Sequence, residues 1–167
     1  DAKAPYRLFL VCSKAPGSLG KALAAAKRNL SSKPGAEHWS THEGAIFGRA
    51  EATGKLGFLF PGQGSQYVGM LRDLACQFPE FQGVFDSAND SFNERKASDL
   101  NDRLSDYIYP HPSFDKAAEQ RQTEQLKQTQ IAQPAIGATS LGGLNTLCAF
   151  GLKPDMVAGH SYGELVA

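Results

Sequence analysis

Ser161 is the residue of this sequence best placed to act as a nucleophile. It lies in Gly159-His-Ser-Tyr-Gly163, which matches the pattern G-x-S-x-G, and an apolar stretch predicted as a short strand precedes it. A helix is predicted to begin at Gly163. Because the flanking glycines allow a tight turn, Ser161 is expected in an exposed and strained position. The backbone N–H of Tyr162 would then point towards an oxygen on the attacked carbon. The alternative is a chance match.

Two further motifs carry glutamines and glycines. Phe60-Pro-Gly-Gln-Gly-Ser-Gln66 follows a predicted strand, and a turn of this kind leaves backbone N–H groups free to face a ligand. The alternative is an ordinary tight turn, since the spacing is not that of a nucleotide-binding loop. Thr129-Gln-Ile-Ala-Gln-Pro-Ala135 places two glutamine amides at the entry to a predicted buried helix. Taken alone, this third motif indicates little.

The first third of the chain is predicted to form a small α/β unit. Residues 6–12 are typical of a buried strand and residues 45–50 of a second strand, and residues 55–60 predict a third strand that begins the next unit. Between them, Ser18 is predicted to cap a helix that runs to about Leu30 and buries one face. That face comprises Leu19, Leu23, Ala26 and Leu30. A domain boundary is predicted near Thr53, which gives domains of residues 1–53 and 54–167.

The remaining residues are predicted to alternate helices with strands. Helices are expected over 70–78 and 81–92, a surface connection over 101–112, a solvent-facing polar helix over 116–128, a helix buried all round over 131–150, and a strand over 155–159. Pro134 is placed in the first turn of the buried helix. This order predicts an α/β fold with a parallel sheet.

Composition excludes some classes of function. Lys+Arg and Asp+Glu both number 17, so no net field would attract nucleic acid or an anionic membrane. The longest apolar runs are too short to span a bilayer. Three separated cysteines among apolar neighbours are interpreted as small core residues, which suggests a reducing cytoplasm. His38 and His42 have no evident third ligand, so no metal site is predicted.

Together the three motifs resemble those of the malonyl-CoA:acyl carrier protein transacylase family, which includes the acyltransferase domains of type I polyketide and fatty-acid synthases. The resemblance covers Lys55 to Ala167. It implies an α/β-hydrolase-like core, of which residues 54–167 would be the N-terminal part. Residues 1–53 resemble the linker between a ketosynthase and its acyltransferase. Residues 104–110 and the Ser161 motif are most similar to iterative synthases of polyunsaturated fatty acids and enediynes.

The resemblance also implies roles for individual residues. Ser161 would attack the thioester of an acyl-CoA, malonyl-CoA being favoured by the identity of Tyr162. The N–H groups of Gln63 and Tyr162 would form the oxyanion hole, and Gln133 would line the acyl pocket. The acyl group would pass to a phosphopantetheine thiol on an acyl carrier protein, with no bound cofactor. His160 is not expected to act as the base, because residues beside the serine of an elbow point away from its Oγ, and it is assigned to substrate binding instead.

Part of this site is expected outside the sequence. The family's general-base histidine and carboxylate-binding arginine follow the elbow, and the helix predicted from Gly163 is interrupted at Ala167. The 167 residues, which begin with Asp1, are therefore interpreted as part of a longer chain. Two alternatives stay open: a serine hydrolase or thioesterase, which shares the elbow, and a non-catalytic docking or linker module.

Overall fold

The computed structural model describes residues 4–49, 54–95 and 102–167. The chain divides into two compact units, the first ending at Gly54 and the second beginning at Lys55. This division lies one residue from the boundary predicted near Thr53.

The first unit is a three-stranded sheet with one helix packed on it. Its elements are β1 (Tyr6–Leu10), α1 (Ser18–Ser32), β2 (His38–Ser40) and β3 (Ala45–Arg49). The sheet is antiparallel throughout, with the strand order β1-β3-β2. Ala26, Trp39 and Ala45 form its small core, and the Trp39 and Phe47 rings stack with centroids 5.2 Å apart. The sequence analysis did not predict β2.

Two predictions about the packing of this unit are wrong. The expected buried strand β1 is exposed at four of its five positions. The leucines expected to face the core are also exposed, Leu19 at 55% and Leu23 at 48%, whereas Ala22 and Ala25 are fully buried. Alanine has no side chain beyond Cβ, so it lets a helix backbone lie close to a sheet. The leucine side chains of α1 are therefore partly exposed instead of facing the sheet.

The second unit combines six helices with a two-stranded sheet in its described part. Its elements are β4 (Gly57–Phe60), α2 (Arg72–Gln77), α3 (Pro79–Arg95), α4 (Leu104–Ile108), α5 (Lys116–Leu126), α6 (Thr129–Ala149), β5 (Met156–Gly159) and α7 (Gly163–Val166). β4 and β5 pair in parallel, with Phe58 opposite Val157 and Phe60 opposite Gly159. The prediction that these segments share one parallel sheet is confirmed, and the fold is α/β.

The core of the second unit lies between α3 and α6. Phe81 and Ile136 are almost completely buried there, and the Phe81 and Phe85 rings stack at 5.5 Å. Gly142 of α6 faces Phe81 so closely that a Cβ at this position would lie 2.8 Å from the ring. A glycine inside a helix costs about 1 kcal/mol relative to alanine, so its presence here indicates a requirement for close packing.

The stretch predicted as a surface connection contains a buried helix. In α4, Leu104 and Ile108 are completely buried. The side chain of Asn89 accepts a hydrogen bond from the backbone N–H of Ser105, at 2.9 Å. The Tyr109 hydroxyl donates to the Met70 carbonyl at 2.8 Å, and burial raises the pKa of Tyr109 to about 12. The hydroxyl therefore stays protonated, and able to donate, to a higher pH than that of an ordinary tyrosine.

Helix α6 also departs from its prediction. It begins at Thr129, so Pro134 falls in its second turn rather than its first. It is not buried on every face, since Leu141 is 39% exposed and Leu147 is 41% exposed. The polar helix predicted over 116–128 corresponds to α5, whose one buried residue is Leu126.

The three cysteines are not core residues, as the sequence analysis had assumed. Cys12 and Cys76 are exposed, Cys148 is partly exposed, and all three are free thiols. Within the described residues, no helix combines the length and the apolar character needed to cross a membrane.

We predict that Gly142→Ala destabilises the second unit by about 1–3 kcal/mol, because the added methyl group would overlap the Phe81 ring. Gly83→Ala is the matched control, since Gly83 lies in α3 and a Cβ there would meet no atom within 4 Å. This control should leave stability unchanged or raise it by about 0.4–1 kcal/mol. Urea unfolding followed by circular dichroism measures both. Equal midpoints for the two variants would contradict the proposed packing of α3 on α6.

Candidate active site

Ser161 lies at the sharp turn between β5 and α7. Its φ of 55° is in the left-handed region, which non-glycine residues rarely adopt. The His160 N–H donates to the Phe60 carbonyl at 3.0 Å, which extends the pairing of β4 with β5 by one residue. The Ser161 carbonyl then accepts from the Glu164 N–H at 3.0 Å, which begins α7. The predicted strand–turn–helix setting of Ser161 is therefore present.

The glycines on either side of the elbow are required by close backbone contacts. A Cβ at Gly163 would contact the Phe60 carbonyl and would lie 2.8 Å from the carbonyl oxygen of Pro61. A Cβ at Gly159 would contact the Gly163 carbonyl and the backbone nitrogen of Glu164. A larger residue at Gly163 would force the elbow away from β4, and one at Gly159 would separate β5 from the start of α7.

The turn that follows β4 packs directly against this elbow. A Cβ at Gly62 would contact the His160 carbonyl and would lie 2.9 Å from the Cβ of Ser161. Within the turn, the Gly62 carbonyl accepts from the Ser65 hydroxyl at 2.8 Å, and Gly64 has a φ of 107°. The Pro61–Gln66 turn and Ser161, which are far apart in sequence, are thus neighbours in the structure.

Two backbone N–H groups, unpaired within the described residues, belong to the two segments that meet at Ser161. The N–H groups of Gln63 and Tyr162 make no hydrogen bond to any group in the part of the chain that the structure describes. One belongs to the turn after β4, and the other directly follows the serine. Their convergence on a single oxygen beside the Ser161 Oγ stays a prediction. Unpaired donors near a nucleophile can stabilise a developing oxyanion.

The side chains of Tyr162 and His160 contact different elements, the first α6 and the second the turn after β4. The half-buried Tyr162 ring rests on α6, where a Cβ at Gly137 would lie 3.1 Å from its Cε1. With Leu165 and residues of α3 and α6, this ring borders a cavity of about 810 Å³. The His160 Nδ1 lies beside Gly62, 3.1 Å from the position of a Cβ there. A substrate contact for His160 stays a prediction.

The two glutamines predicted from sequence are in contact. The Gln133 Nε2 donates to the Gln63 Oε1 at 3.3 Å, and the Gln63 Nε2 donates to the Thr129 hydroxyl at 3.1 Å. The sequence analysis named Gln63 and Gln133 but did not assign a role to Thr129. The sequence feature that could have indicated Thr129 is its spacing from Gln133, because residues four apart lie on the same face of a helix.

The described residues contain no group of three or more His, Cys, Asp or Glu side chains that could hold a metal ion. His38 belongs to β2 and His42 to the following turn, both in the first unit.

The candidate site thus consists of a serine in a strained backbone conformation at an elbow, packed against a glycine-rich turn, within an α/β unit. Residues 57–167 match the family model described as Acyl transferase domain. The chain therefore belongs to this family.

Three known proteins illustrate the relationship. The malonyl CoA-acyl carrier protein transacylase of Bacillus subtilis is 37% identical over 68% of this chain and 30% of its own length. The phenolphthiocerol synthesis polyketide synthase type I Pks15/1 of Mycobacterium marinum is 37% identical over 74% of this chain and 5% of its own. The crystal structure of the acyltransferase domain from the second module of the salinomycin polyketide synthase matches with a TM-score of 0.65 and 30% identity, covering 97% of this chain and 32% of that one. The chain thus spans less than a third of each.

We predict that Gly62→Ala in the full-length protein slows reaction of Ser161 with a serine-directed fluorophosphonate about 100-fold. The added methyl group would separate the turn from the elbow, and displacements near 1 Å are enough for losses of this size. Gly57→Ala in the same segment is the control, because its Cβ would meet only the flexible Met156 side chain, at 3.3 Å. Equal labelling rates for both variants would show that the turn does not support the serine.

Proposed function

We propose that Ser161 transfers an acyl group from coenzyme A to an acyl carrier protein, in polyketide or fatty-acid synthesis. The Ser161 Oγ attacks the thioester carbonyl, the new C–O bond forms, and the C–S bond to coenzyme A breaks. The serine proton passes through a general base to the departing thiolate. In the second half, the phosphopantetheine thiol of the carrier attacks the serine ester, and Ser161 regains its proton.

One observation carries this proposal: the Pro61–Gln66 turn packs against the Ser161 elbow, beside two unpaired backbone N–H groups. The tetrahedral intermediate of each half-reaction carries a negative oxygen, and donors from Gln63 and Tyr162 would stabilise it. A simple elbow with an unrelated turn would offer only the Tyr162 donor. Membership of the acyl transferase domain family supports the same chemistry.

The general base is proposed to come from the chain beyond Ala167. Of the four histidines, His38 and His42 belong to the first unit, and His111 borders a cavity of about 610 Å³ with Arg72 and Tyr109. His160 adjoins the serine in sequence, and its Nδ1 lies beside Gly62. The Bacillus relative, of which this chain spans 30%, has ample further length to supply a base.

The proposed substrate is malonyl-CoA, and the proposed partner is an acyl carrier protein bearing phosphopantetheine. The printed name of the Bacillus relative supports both assignments. We further propose that the first unit is a linker to a neighbouring ketosynthase domain. The match to the salinomycin acyltransferase structure covers 97% of this chain, so it extends over the first unit, whereas the Bacillus match covers 68%.

The main competing function is hydrolysis of the same acyl-enzyme by water. It shares the elbow, but it would usually require an acidic partner for its histidine and would not need the Pro61–Gln66 turn. A docking module without activity is the other alternative.

We predict that malonyl-CoA acylates Ser161 of the full-length protein stoichiometrically and that Ser161→Ala abolishes the added mass. The label should persist in buffer and should move to a carrier protein bearing phosphopantetheine when that is added. Residues 1–167 alone should show no turnover, because a serine hydroxyl without its base is a weak nucleophile. Intact-protein mass spectrometry measures all three.

Each competing function gives a different outcome. Rapid loss of the label to water, without transfer to the carrier, would indicate a hydrolase. No label on the full-length protein would indicate a docking module. Stoichiometric acylation of residues 1–167 alone would show that the base lies within them.

A further inference from the structure

The side chain of Gln63 is held at both ends of its amide. Its Nε2 donates to the Thr129 hydroxyl at 3.1 Å, and its Oε1 accepts from the Gln133 Nε2 at 3.3 Å. Thr129 and Gln133 lie one turn apart on the same face of α6. The amide therefore bridges two consecutive turns of one helix.

The turns of α6 that carry Thr129 and Gln133 are anchored in the core by residues on their other sides. Ile131, Ala132 and Ala135, which lie between and just beyond the two polar residues, are at most 1% exposed. The turn that contains Gln63 has internal hydrogen bonds from the Ser65 hydroxyl to the Gly62 carbonyl and from the Gly64 N–H to the Gln66 Oε1, but neither holds Gln63, which is exposed and lies between two glycines. Glycine neighbours give a backbone more freedom than any other residue. Among the described residues, the hydrogen bonds that restrain Gln63 itself are therefore those of its side chain.

The Thr129 hydroxyl has no competing role at the start of α6. Gln128 is the N-cap residue, and no side chain caps this helix end. Among the described residues, the hydrogen bond from Gln63 is the one formed by the Thr129 hydroxyl. Its removal should therefore leave the helix itself intact.

We infer that Thr129 is a positioning residue for acyl transfer, which fixes the Gln63 backbone N–H by binding the Gln63 side chain. This inference rests on the proposed function, because it assigns Thr129 to the donor that would stabilise the oxyanion. Thr129 itself contacts neither the substrate nor the Ser161 hydroxyl in this role. The hydrogen bond to Thr129 is expected to lower the free energy of the transition state of each half-reaction, because the substrate oxygen becomes negatively charged there.

The test is Thr129→Val in the full-length protein, which keeps the shape of the side chain and removes the hydroxyl. The kcat for malonyl transfer to the carrier protein should fall about three- to tenfold, as for the loss of one hydrogen bond, while KM for malonyl-CoA stays unchanged. Thr129→Ser should restore kcat. Thr123→Val on α5 is the matched control, since its hydroxyl binds the Glu119 carbonyl at 3.0 Å, and kcat should not change.

A second pair of variants separates positioning from stability. In a Gln63→Met background, Thr129→Val should cause no further loss of kcat, because the amide that it would hold is absent. The melting temperature of Thr129→Val should match that of Thr123→Val. A wild-type kcat for Thr129→Val, a loss carried by KM, or an additive loss in the Gln63→Met background would each overturn the inference. If the wild-type protein forms no acyl-enzyme at all, the proposed function itself fails.

Discussion

The parallel pairing of β4 with β5 is the contact on which the candidate site depends. It places Phe60 opposite Gly159, so the C-terminal ends of the two strands lie side by side at one end of the sheet. The hydrogen bond from the His160 N–H to the Phe60 carbonyl continues this pairing into the elbow. Two motifs distant in sequence therefore meet because parallel strands end side by side, and the site lies where such sheets usually bind their ligands.

This close approach determines which residues can occupy the site. Gly62, Gly159 and Gly163 each face backbone atoms where a Cβ would overlap, so the requirement is for space as well as for conformational freedom. Ser161 has a Cβ, unlike these glycines, so its φ of 55° costs about 1–2 kcal/mol of conformational free energy. Interactions elsewhere must offset that cost. The packing of α3 on α6 and the pairing of the strands supply them, and neither involves the serine.

Local glycine and proline patterns made the elbow, the turn and their strands predictable from sequence, because tight turns restrict residue type directly. Contacts between distant segments were less accessible. Prolines at 110 and 112 indicated a loop and obscured α4, whose burial depends on packing against the core. The leucines of α1 gave a regular helical stripe, but the alanines beside them allow the closer approach to the sheet. The hydrogen bond between Thr129 and Gln63 required the fold itself.

Helix α6 supports both proposed oxyanion donors through one face. Thr129, Gln133 and Gly137 are spaced four residues apart, so they follow one another along the same side of the helix. The first two bind the Gln63 side chain, and the third leaves room for the Tyr162 ring. The opposite face packs on α3. One helix thus contacts both the turn and the elbow, as two donors from distant segments would require if they are to act on one oxygen.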